Sequence, residues 1–121
     1  MPIPILRQGD VLIASIQSAL TDADLRDLRE ELTRKVGELR ARGVIIDVTA
    51  LDVLDSFATR TLQSIAHTSK LRGARTTIVG IQPDVAFAMV QLGLELDGVE
   101  TALDLDDALA DLRRALAEGG I

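Results

Sequence analysis

The sequence predicts an α/β domain built on a mixed, mostly parallel β-sheet. Short apolar segments typical of strands alternate with longer amphipathic segments typical of helices, which is the pattern of parallel sheets with helical crossovers. The run Val44–Val48 is apolar at nearly every position, as expected of a strand covered on both faces. The 121 residues contain no repeat and no long linker, so we expect one domain over residues 1–121 in the order β-β-α-β-α-β-α-β-α.

The first third of the chain predicts a β-hairpin followed by a long helix. Apolar segments at Ile3–Leu6 and Val11–Ile16 flank a Gly-Asp turn, which indicates an antiparallel pair. A helix is predicted over Asp22–Arg42, because Thr21 or the aspartate after it can cap the first N–H groups and Gly43 can end the helix. The expected buried stripe of this helix consists of Leu25, Leu28, Leu32, Val36 and Leu39.

The remainder predicts two more strands and three more helices. Helices are expected over Ser56–Leu71, from Pro83 onward, and after an Asp104 cap, with strands at Thr76–Val79 and Val99–Ala102. The residues expected to face the core are Ala58, Leu62, Ile65, Ala66 and Leu71 in the first of these helices, Val85, Ala86, Met89, Val90 and Leu92 in the second, and Leu105, Ala108, Leu109, Leu112 and Leu116 in the third.

Composition excludes several classes of function. The chain has no cysteine, so disulfide scaffolds, thiolate metal sites and cysteine nucleophiles are absent. With 13 basic and 19 acidic residues, a net charge of −6 and two phenylalanines as its aromatic residues, it lacks the basic and stacking groups of a nucleic-acid binder. No apolar stretch is long enough to span a membrane, and no secretion signal precedes the first strand. We therefore expect a cytoplasmic protein.

Nothing in the sequence indicates catalysis or a bound cofactor. The single histidine, His67, lies within a predicted helix, where a surface or partly packed imidazole is the simplest interpretation. The glycine-rich motifs that bind nucleotide phosphates are missing. The sequence therefore predicts a protein that is not an enzyme and that needs neither a metal nor a cofactor.

Acidic residues and one serine cluster between the central strand and the second helix. Asp47 ends the strand, and Asp52, Asp55 and Ser56 follow in the loop, at the sheet edge where ligands and modifications gather in α/β folds. In a structural interpretation, Asp55 or Ser56 caps the helix and Asp52 closes a turn. In an alternative, Asp47, Asp52 and Asp55 bind a cation or small ligand, although they offer few fixed oxygen ligands.

Two phosphorylation chemistries could use the same cluster. Asp47 does not fit a phospho-aspartate receiver, because no acidic pair follows the preceding strand and the chain's lysines, Lys35 and Lys70, are misplaced. Ser56 fits a phospho-acceptor for an external kinase, because a helix N-terminus tolerates a phosphate. A phosphate there would concentrate negative charge beside Asp52 and Asp55 and oppose the docking of a partner.

The segment Gly43–Phe57 resembles the signature of STAS domains, the sulfate transporter and anti-sigma factor antagonist family. The stretches IPIL at 3–6, GIQP at 80–83 and ETALDL at 100–105 resemble in particular the RsbS type, the small scaffold of the bacterial stressosome. The resemblance covers nearly the whole chain and implies the STAS fold. A serine acceptor and the lack of an N-terminal sensor domain favour the RsbS type over its RsbR-like paralogues.

The resemblance implies a set of partners and a switch. Ser56 matches the residue phosphorylated by an RsbT-like serine kinase, with Asp52, Asp55 and Phe57 forming the docking surface around it. The unmodified scaffold would hold the kinase within a large pseudo-icosahedral complex with RsbR-like paralogues, and a PP2C-type phosphatase would reset the serine. The alternative is a free-standing antagonist, monomeric or dimeric, that binds an anti-sigma factor kinase when unphosphorylated. For Phe57, an interface anchor and burial in the core both remain open.

Overall fold

A computed structural model describes residues 3–96 and 98–119 of the chain; the ends of the predicted domain, 1–2 and 120–121, lie outside them. Five strands form one sheet in the order β1-β2-β3-β4-β5, with β1 antiparallel to β2 and the other neighbours parallel. The predicted fold class and element order are confirmed. The elements are β1 (Ile5–Gln8), β2 (Val11–Ser15), α1 (Asp22–Leu39), β3 (Gly43–Asp47), α2 (Ser56–Leu71), β4 (Arg75–Val79), α3 (Pro83–Gln91), β5 (Glu100–Ala102) and α4 (Leu105–Gly119).

The sheet is covered on both faces, because alternate residues of each strand point to opposite sides. In β3, Val44 and Ile46 pack in the main core with residues of α1, α2 and α3, whereas Ile45 packs in a second core with α4. All three side chains are fully buried. The continuous apolar run therefore predicted the position of this central strand correctly. Within the described ranges, no helix combines the length and the apolar character needed to cross a bilayer.

The end of α1 differs from the prediction. The helix stops at Leu39, and Arg40 adopts a left-handed conformation with φ of 51° while its N–H donates to the Val36 carbonyl. Gly43 does not end the helix; it begins β3, where a Cβ would lie 2.3 Å from the Leu112 Cδ2 atom. This glycine therefore allows α4 to pack closely on the sheet, a role that a local helix-ending pattern cannot reveal.

The hairpin also differs slightly from the prediction. β1 spans Ile5–Gln8 rather than Ile3–Leu6, because the turn is confined to Gly9 and Asp10 and Gln8 pairs directly with Val11. The strand therefore continues through two polar residues that the apolar pattern had assigned to the turn.

Most predicted core residues are buried, and the errors cluster on the outer sides of α2 and α3. Leu71 lies two positions after the buried Ser69, which is about 200° around the helix, so it faces solvent. In α3 the inward side consists of Val85 and Met89. The apolar residues predicted inside but exposed in the structure are Leu71, Ala86, Val90 and Leu92.

Candidate functional site

The candidate site begins where β3 ends. The Asp47 Oδ1 atom accepts hydrogen bonds from the Thr49 backbone N–H at 2.9 Å and from the Thr49 hydroxyl at 2.6 Å. The Val48 N–H donates to the Val79 carbonyl at 2.9 Å and extends the contact with β4 by one residue. Asp47 therefore fixes the turn out of the strand, as aspartate side chains do when they bond to the backbone two residues on.

The loop between Asp47 and α2 is anchored by two leucines. Leu51 and Leu54 are each 6% exposed and belong to the main core. Between them Asp52 is exposed, and Val53 is 71% exposed. The anchors therefore hold the loop against the domain while it presents one carboxylate and one apolar side chain to solvent.

The segment that follows β4 contacts the same loop at Thr49. Gly80 has φ of 78°, and a Cβ at this position would lie 1.9 Å from the Thr49 Oγ1 atom. The Gln82 side-chain amide donates to the Thr49 carbonyl at 2.7 Å. Because the backbone of the loop rests directly on Gly80, the position of α2 relative to the sheet depends on a residue that is distant in sequence.

The sequence left open whether Asp55 or Ser56 caps α2, and the structure assigns the cap to Asp55. Asp55 is the N-cap of α2, and its Oδ1 atom accepts from the Ala58 N–H at 2.8 Å. Ser56 is the first residue of the helix and is partly exposed. Since the cap is Asp55, the Ser56 hydroxyl has no capping role and lies at the positive end of the helix dipole.

Phe57 is neither a free surface anchor nor a fully buried core residue. It is half-buried and packs against the main core, while the Arg26 guanidinium carbon lies 5.9 Å from the centroid of its ring. This distance is within the range of a cation–π contact. The ring therefore joins the start of α2 to α1 and leaves part of its surface available beside Ser56.

An apolar groove of about 110 Å³ opens next to the cap of α2. Leu20 and Leu25 form one wall, Val53 and Leu54 form the other, and Asp55 also contributes to the lining. The sequence did not predict this groove, because one wall comes from the start of α1 and the loop before it, whereas the other comes from the loop before α2, which is distant in sequence. Val53, an apolar residue between Asp52 and Asp55, is the one local sequence signal of it.

The first turn of α1 adds negative charge near the groove. Thr21 is confirmed as its cap: the Thr21 hydroxyl accepts from the Asp24 N–H, and the Asp24 carboxylate accepts from the Thr21 N–H, both at 3.1 Å. The hydrogen bond from the Thr21 backbone, followed by that from its hydroxyl, lowers the pKa of Asp24 below its ordinary value. Asp22 lies in the same turn.

The structure does not support the alternative of a cation site at Asp47, Asp52 and Asp55. Over residues 3–96 and 98–119, no three histidine, cysteine, aspartate or glutamate side chains are grouped so as to hold a metal ion. The Asp47 carboxylate is instead directed to Thr49. His67 is exposed on α2. The junction between β3 and α2, residues 47–57, therefore contains Asp52, Asp55, Ser56 and Phe57, while Asp47 has a structural role in its first turn.

Comparison with known protein families matches residues 2–108 to the STAS domain. The chain belongs to the STAS domain family. Its solved relatives include a serine-to-glutamate variant of Moorella thermoacetica RsbS, which is 33% identical, with a TM-score of 0.83 over 95% of this chain and 97% of that one. A chain of the structure described as "Molecular architecture of the stressosome, a signal integration and transduction hub" is 35% identical, with a TM-score of 0.76 over 92% and 96% of the two chains.

Curated relatives of this STAS domain include the RsbT co-antagonist protein RsbRD of Bacillus subtilis, which is 28% identical over 86 residues. That match covers 71% of this chain but 31% of RsbRD, so the chain spans about a third of that relative. The predicted resemblance to STAS domains of the RsbS and RsbR group is therefore confirmed. The chain is a STAS domain whose homologues include RsbS and RsbR proteins and a chain of a stressosome structure.

Proposed function

We propose that this STAS domain is a non-enzymatic scaffold that holds an RsbT-like serine kinase and releases it when Ser56 is phosphorylated. The observation that carries the proposal is the position of Ser56: a partly exposed serine at the first residue of α2, directly after the Asp55 cap. Relatives named RsbT co-antagonists and a relative from a stressosome structure support the choice of partner. We propose that the complex also contains RsbR-like paralogues and that a PP2C-type phosphatase resets the serine.

Phosphorylation would change charge without breaking the fold. The kinase would transfer the γ-phosphoryl group of ATP to the Ser56 oxygen, leaving ADP and releasing the hydroxyl proton. The phosphate adds about −1.5 to −2 charges at a helix N-terminus, where the helix dipole stabilises an anion. The same phosphate lies close in sequence to the carboxylates of Asp52 and Asp55. A kinase that still holds nucleotide phosphates would then meet electrostatic repulsion and a desolvation cost.

The docking surface would surround the acceptor. Asp52 offers an exposed carboxylate, Phe57 a half-buried ring, and the groove beside Asp55 space for an apolar side chain of the kinase. Hydrogen bonds at the turn and the cap hold these groups in place before any partner binds. A pre-organised surface loses less conformational entropy on binding, which supports this junction as the contact region.

Phosphate incorporation in the presence of the cognate kinase and ATP tests the acceptor. We expect the wild-type chain to be labelled and the Ser56→Ala variant to lose nearly all labelling, as measured by mass spectrometry of the intact protein and its peptides. Ser18→Ala removes an exposed hydroxyl from the neighbouring β2–α1 loop and is the matched control. Labelling of Ser56→Ala as strong as that of the wild type would exclude Ser56 as the acceptor.

Retention of the kinase on immobilised protein tests the switch. Ser56→Asp should retain less kinase than the wild type, although one carboxylate carries less charge than a phosphate. The asparagine of Ser56→Asn has nearly the same size as that aspartate but no charge, so this variant should retain the kinase as the wild type does. Equal losses in the two variants would show that shape rather than charge controls docking, and the electrostatic switch would be wrong.

A further inference from the structure

α2 differs from α1 and α4 in the partners that it offers to basic residues. In α1, Arg34 pairs with Glu38 at 3.1 Å, and in α4, Arg114 pairs with Asp111. The partners lie three or four residues apart, which is the spacing at which side chains meet on a helix surface. α2 contains basic residues but no aspartate or glutamate, so it has no anion of its own to pair with them.

Arg60 is the basic residue closest to the start of α2, and its side chain is exposed. Within residues 3–96 and 98–119, none of the ion pairs involves Arg60. The Asp55 carboxylate accepts from the Ala58 N–H at 2.8 Å, and it serves as the cap of the helix. In the described part of the chain, the Arg60 guanidinium therefore has no carboxylate partner.

Helix geometry places Arg60 one turn after Ser56. Residues four positions apart lie on the same side of a helix, with their Cβ atoms about 5–6 Å apart. Helical side chains lean toward the N-terminus, so the long Arg60 side chain extends back over the turn that contains Ser56. An anion that precedes a cation by four residues is also the more favourable order for such a pair.

We propose that Arg60 binds the phosphate of phosphorylated Ser56 within the same chain. The guanidinium would donate two hydrogen bonds to phosphate oxygens, which is the paired geometry that arginine forms with this group. The inference rests on the proposed function, because it takes Ser56 as the phospho-acceptor. It adds a residue that gives the phosphate a fixed place on the side of α2.

This pairing changes the charge of the helix surface beside the acceptor. In the first two turns of α2, Arg60 is the only charged residue, and it is positive. A phosphate of about −1.5 to −2 charges brings the sum to about −0.5 to −1, so the sign of this surface reverses. A carboxylate of a docked partner would be attracted to Arg60 before phosphorylation and repelled by the pair afterwards.

The other charged groups near the start of α2 are less well placed to bind the phosphate. The carboxylates of Asp52 and Asp55 repel it and favour its attraction to a cation. The Arg26 guanidinium carbon lies 5.9 Å from the centroid of the Phe57 ring. Phe57 follows Ser56 directly, and its side chain points about 100° away around the helix. Arg60 is therefore the cation on the same side as the acceptor.

The second pKa of the phosphate, about 6 in a phosphoserine, tests the pair directly. Phosphoserine is introduced at position 56 of the full chain during translation, so that no kinase is needed, and the phosphate is titrated by phosphorus NMR. Arg60→Gln should raise this pKa by about 0.2–0.7 unit, because an exposed cation stabilises the doubly charged phosphate modestly. Arg60→Lys keeps the charge without the planar fork and should give an intermediate pKa.

Two controls separate a local pair from a general effect of charge. Arg113→Gln makes the same change at an exposed arginine of α4, which packs on the other face of the sheet, and it should leave the pKa of the phosphate unchanged. Salt at about 1 M should reduce the difference between the wild type and Arg60→Gln, because exposed pairs are screened. The helix dipole, Asp52 and Asp55 are the same in all these variants. Circular dichroism establishes that each variant is folded.

Three outcomes would overturn the inference. The pKa of the phosphate could be equal in the wild type and Arg60→Gln, or Arg113→Gln could raise it as much as Arg60→Gln. In the third, Arg26→Gln would raise it more than Arg60→Gln, which would assign the phosphate to α1.

Labelling of the unmodified chain by the kinase and ATP is measured separately. Ser56 labelling without an effect of Arg60 on the pKa leaves the proposed function in place and removes this inference. An effect of Arg60 without Ser56 labelling supports the pair and removes the proposed function.

Discussion

The start of α2 and the outer side of α3 are both accessible, but the protein holds them in different ways. α2 begins with a side-chain cap from Asp55, whereas Gln82 at the start of α3 makes no capping hydrogen bond with its side chain. The loop before α2 is anchored by the buried Leu51 and Leu54 and by the Asp47 turn. Hydrogen bonds and buried leucines fix the start of α2, whereas the outer side of α3 mainly exposes apolar surface.

This difference matters for what the start of α2 is proposed to do. A phospho-acceptor must present one hydroxyl in a defined position to the kinase, so the backbone around it benefits from being fixed in advance. The outer side of α3 buries little apolar area, so its side chains contribute little to the stability of the chain. Substitutions in the two regions should therefore have different consequences for stability and for the labelling of Ser56.

The largest difference is expected at two glycines with similar backbone conformations. Gly80 has φ of 78° and lies against Thr49, whereas Gly93, just after α3, has φ of 69° and open space around it. Gly93→Ala should cost about 1–2 kcal/mol, the strain of a left-handed alanine. Gly80→Ala adds an overpacking cost against Thr49, so we expect about 2–5 kcal/mol in total.

Urea unfolding of both variants measures this contrast, and the rate of Ser56 labelling reports its effect on the site. Gly80→Ala should slow labelling because the loop before α2 must shift, while Gly93→Ala should leave the rate unchanged. Equal losses of stability in the two variants would show that the close contact between Gly80 and Thr49 is unimportant for the junction.

A smaller effect is expected at Asp55, where capping and charge can be separated. Asp55→Ala should lower the free energy of unfolding by about 1 kcal/mol, because the Ala58 N–H loses its acceptor. Asp55→Asn preserves a good cap and removes the charge, so its stability should stay close to that of the wild type.

Kinase retention by the same two variants then tests the docking surface. If the Asp55 charge contributes to docking, Asp55→Asn should retain less kinase while remaining as stable as the wild type. If only Asp55→Ala loses the kinase, the contribution of Asp55 is the positioning of α2. If neither variant changes retention, Asp55 is not part of the docking surface.

The sequence predicted the first of the two regions better than the second. Ser56 at the start of α2 and the Thr21 cap followed from local patterns, because capping and helix periodicity depend on neighbours within a few residues. The exposure of Val90 could not be predicted. The short helix α3 is apolar on two sides, and its sequence alone does not show which of them faces the sheet. The roles of Gly43 and Gly80 depend on Leu112 and Thr49, which only the folded chain brings near.

The smallest expected effect concerns the capping box of α1, which offers a pH test. The pKa of Asp24 is lowered from its ordinary value of 3.8, mainly by the hydrogen bond from the Thr21 backbone. A carboxyl with a lowered pKa in the folded state stabilises the fold fully above its unfolded pKa. That stabilisation is lost as the pH falls through the folded-state pKa. Below this pH the carboxyl is protonated in both the folded and the unfolded chain, so its ionisation no longer favours folding.

The melting temperatures of the wild type and Asp24→Asn should therefore differ slightly at neutral pH, with the wild type higher. The difference should start to shrink as the pH falls below 3.8, the ordinary pKa of the carboxyl in the unfolded chain, and should vanish below the lowered pKa of the folded state, where both states are protonated. Asp22→Asn lies in the same helical turn outside the capping box and serves as the control. A difference for Asp24→Asn that stays constant from neutral to acid pH would mean that the carboxylate charge does not contribute. In that case the capping box would act through hydrogen-bond geometry alone, as the cap of α2 would if Asp55→Asn left stability unchanged.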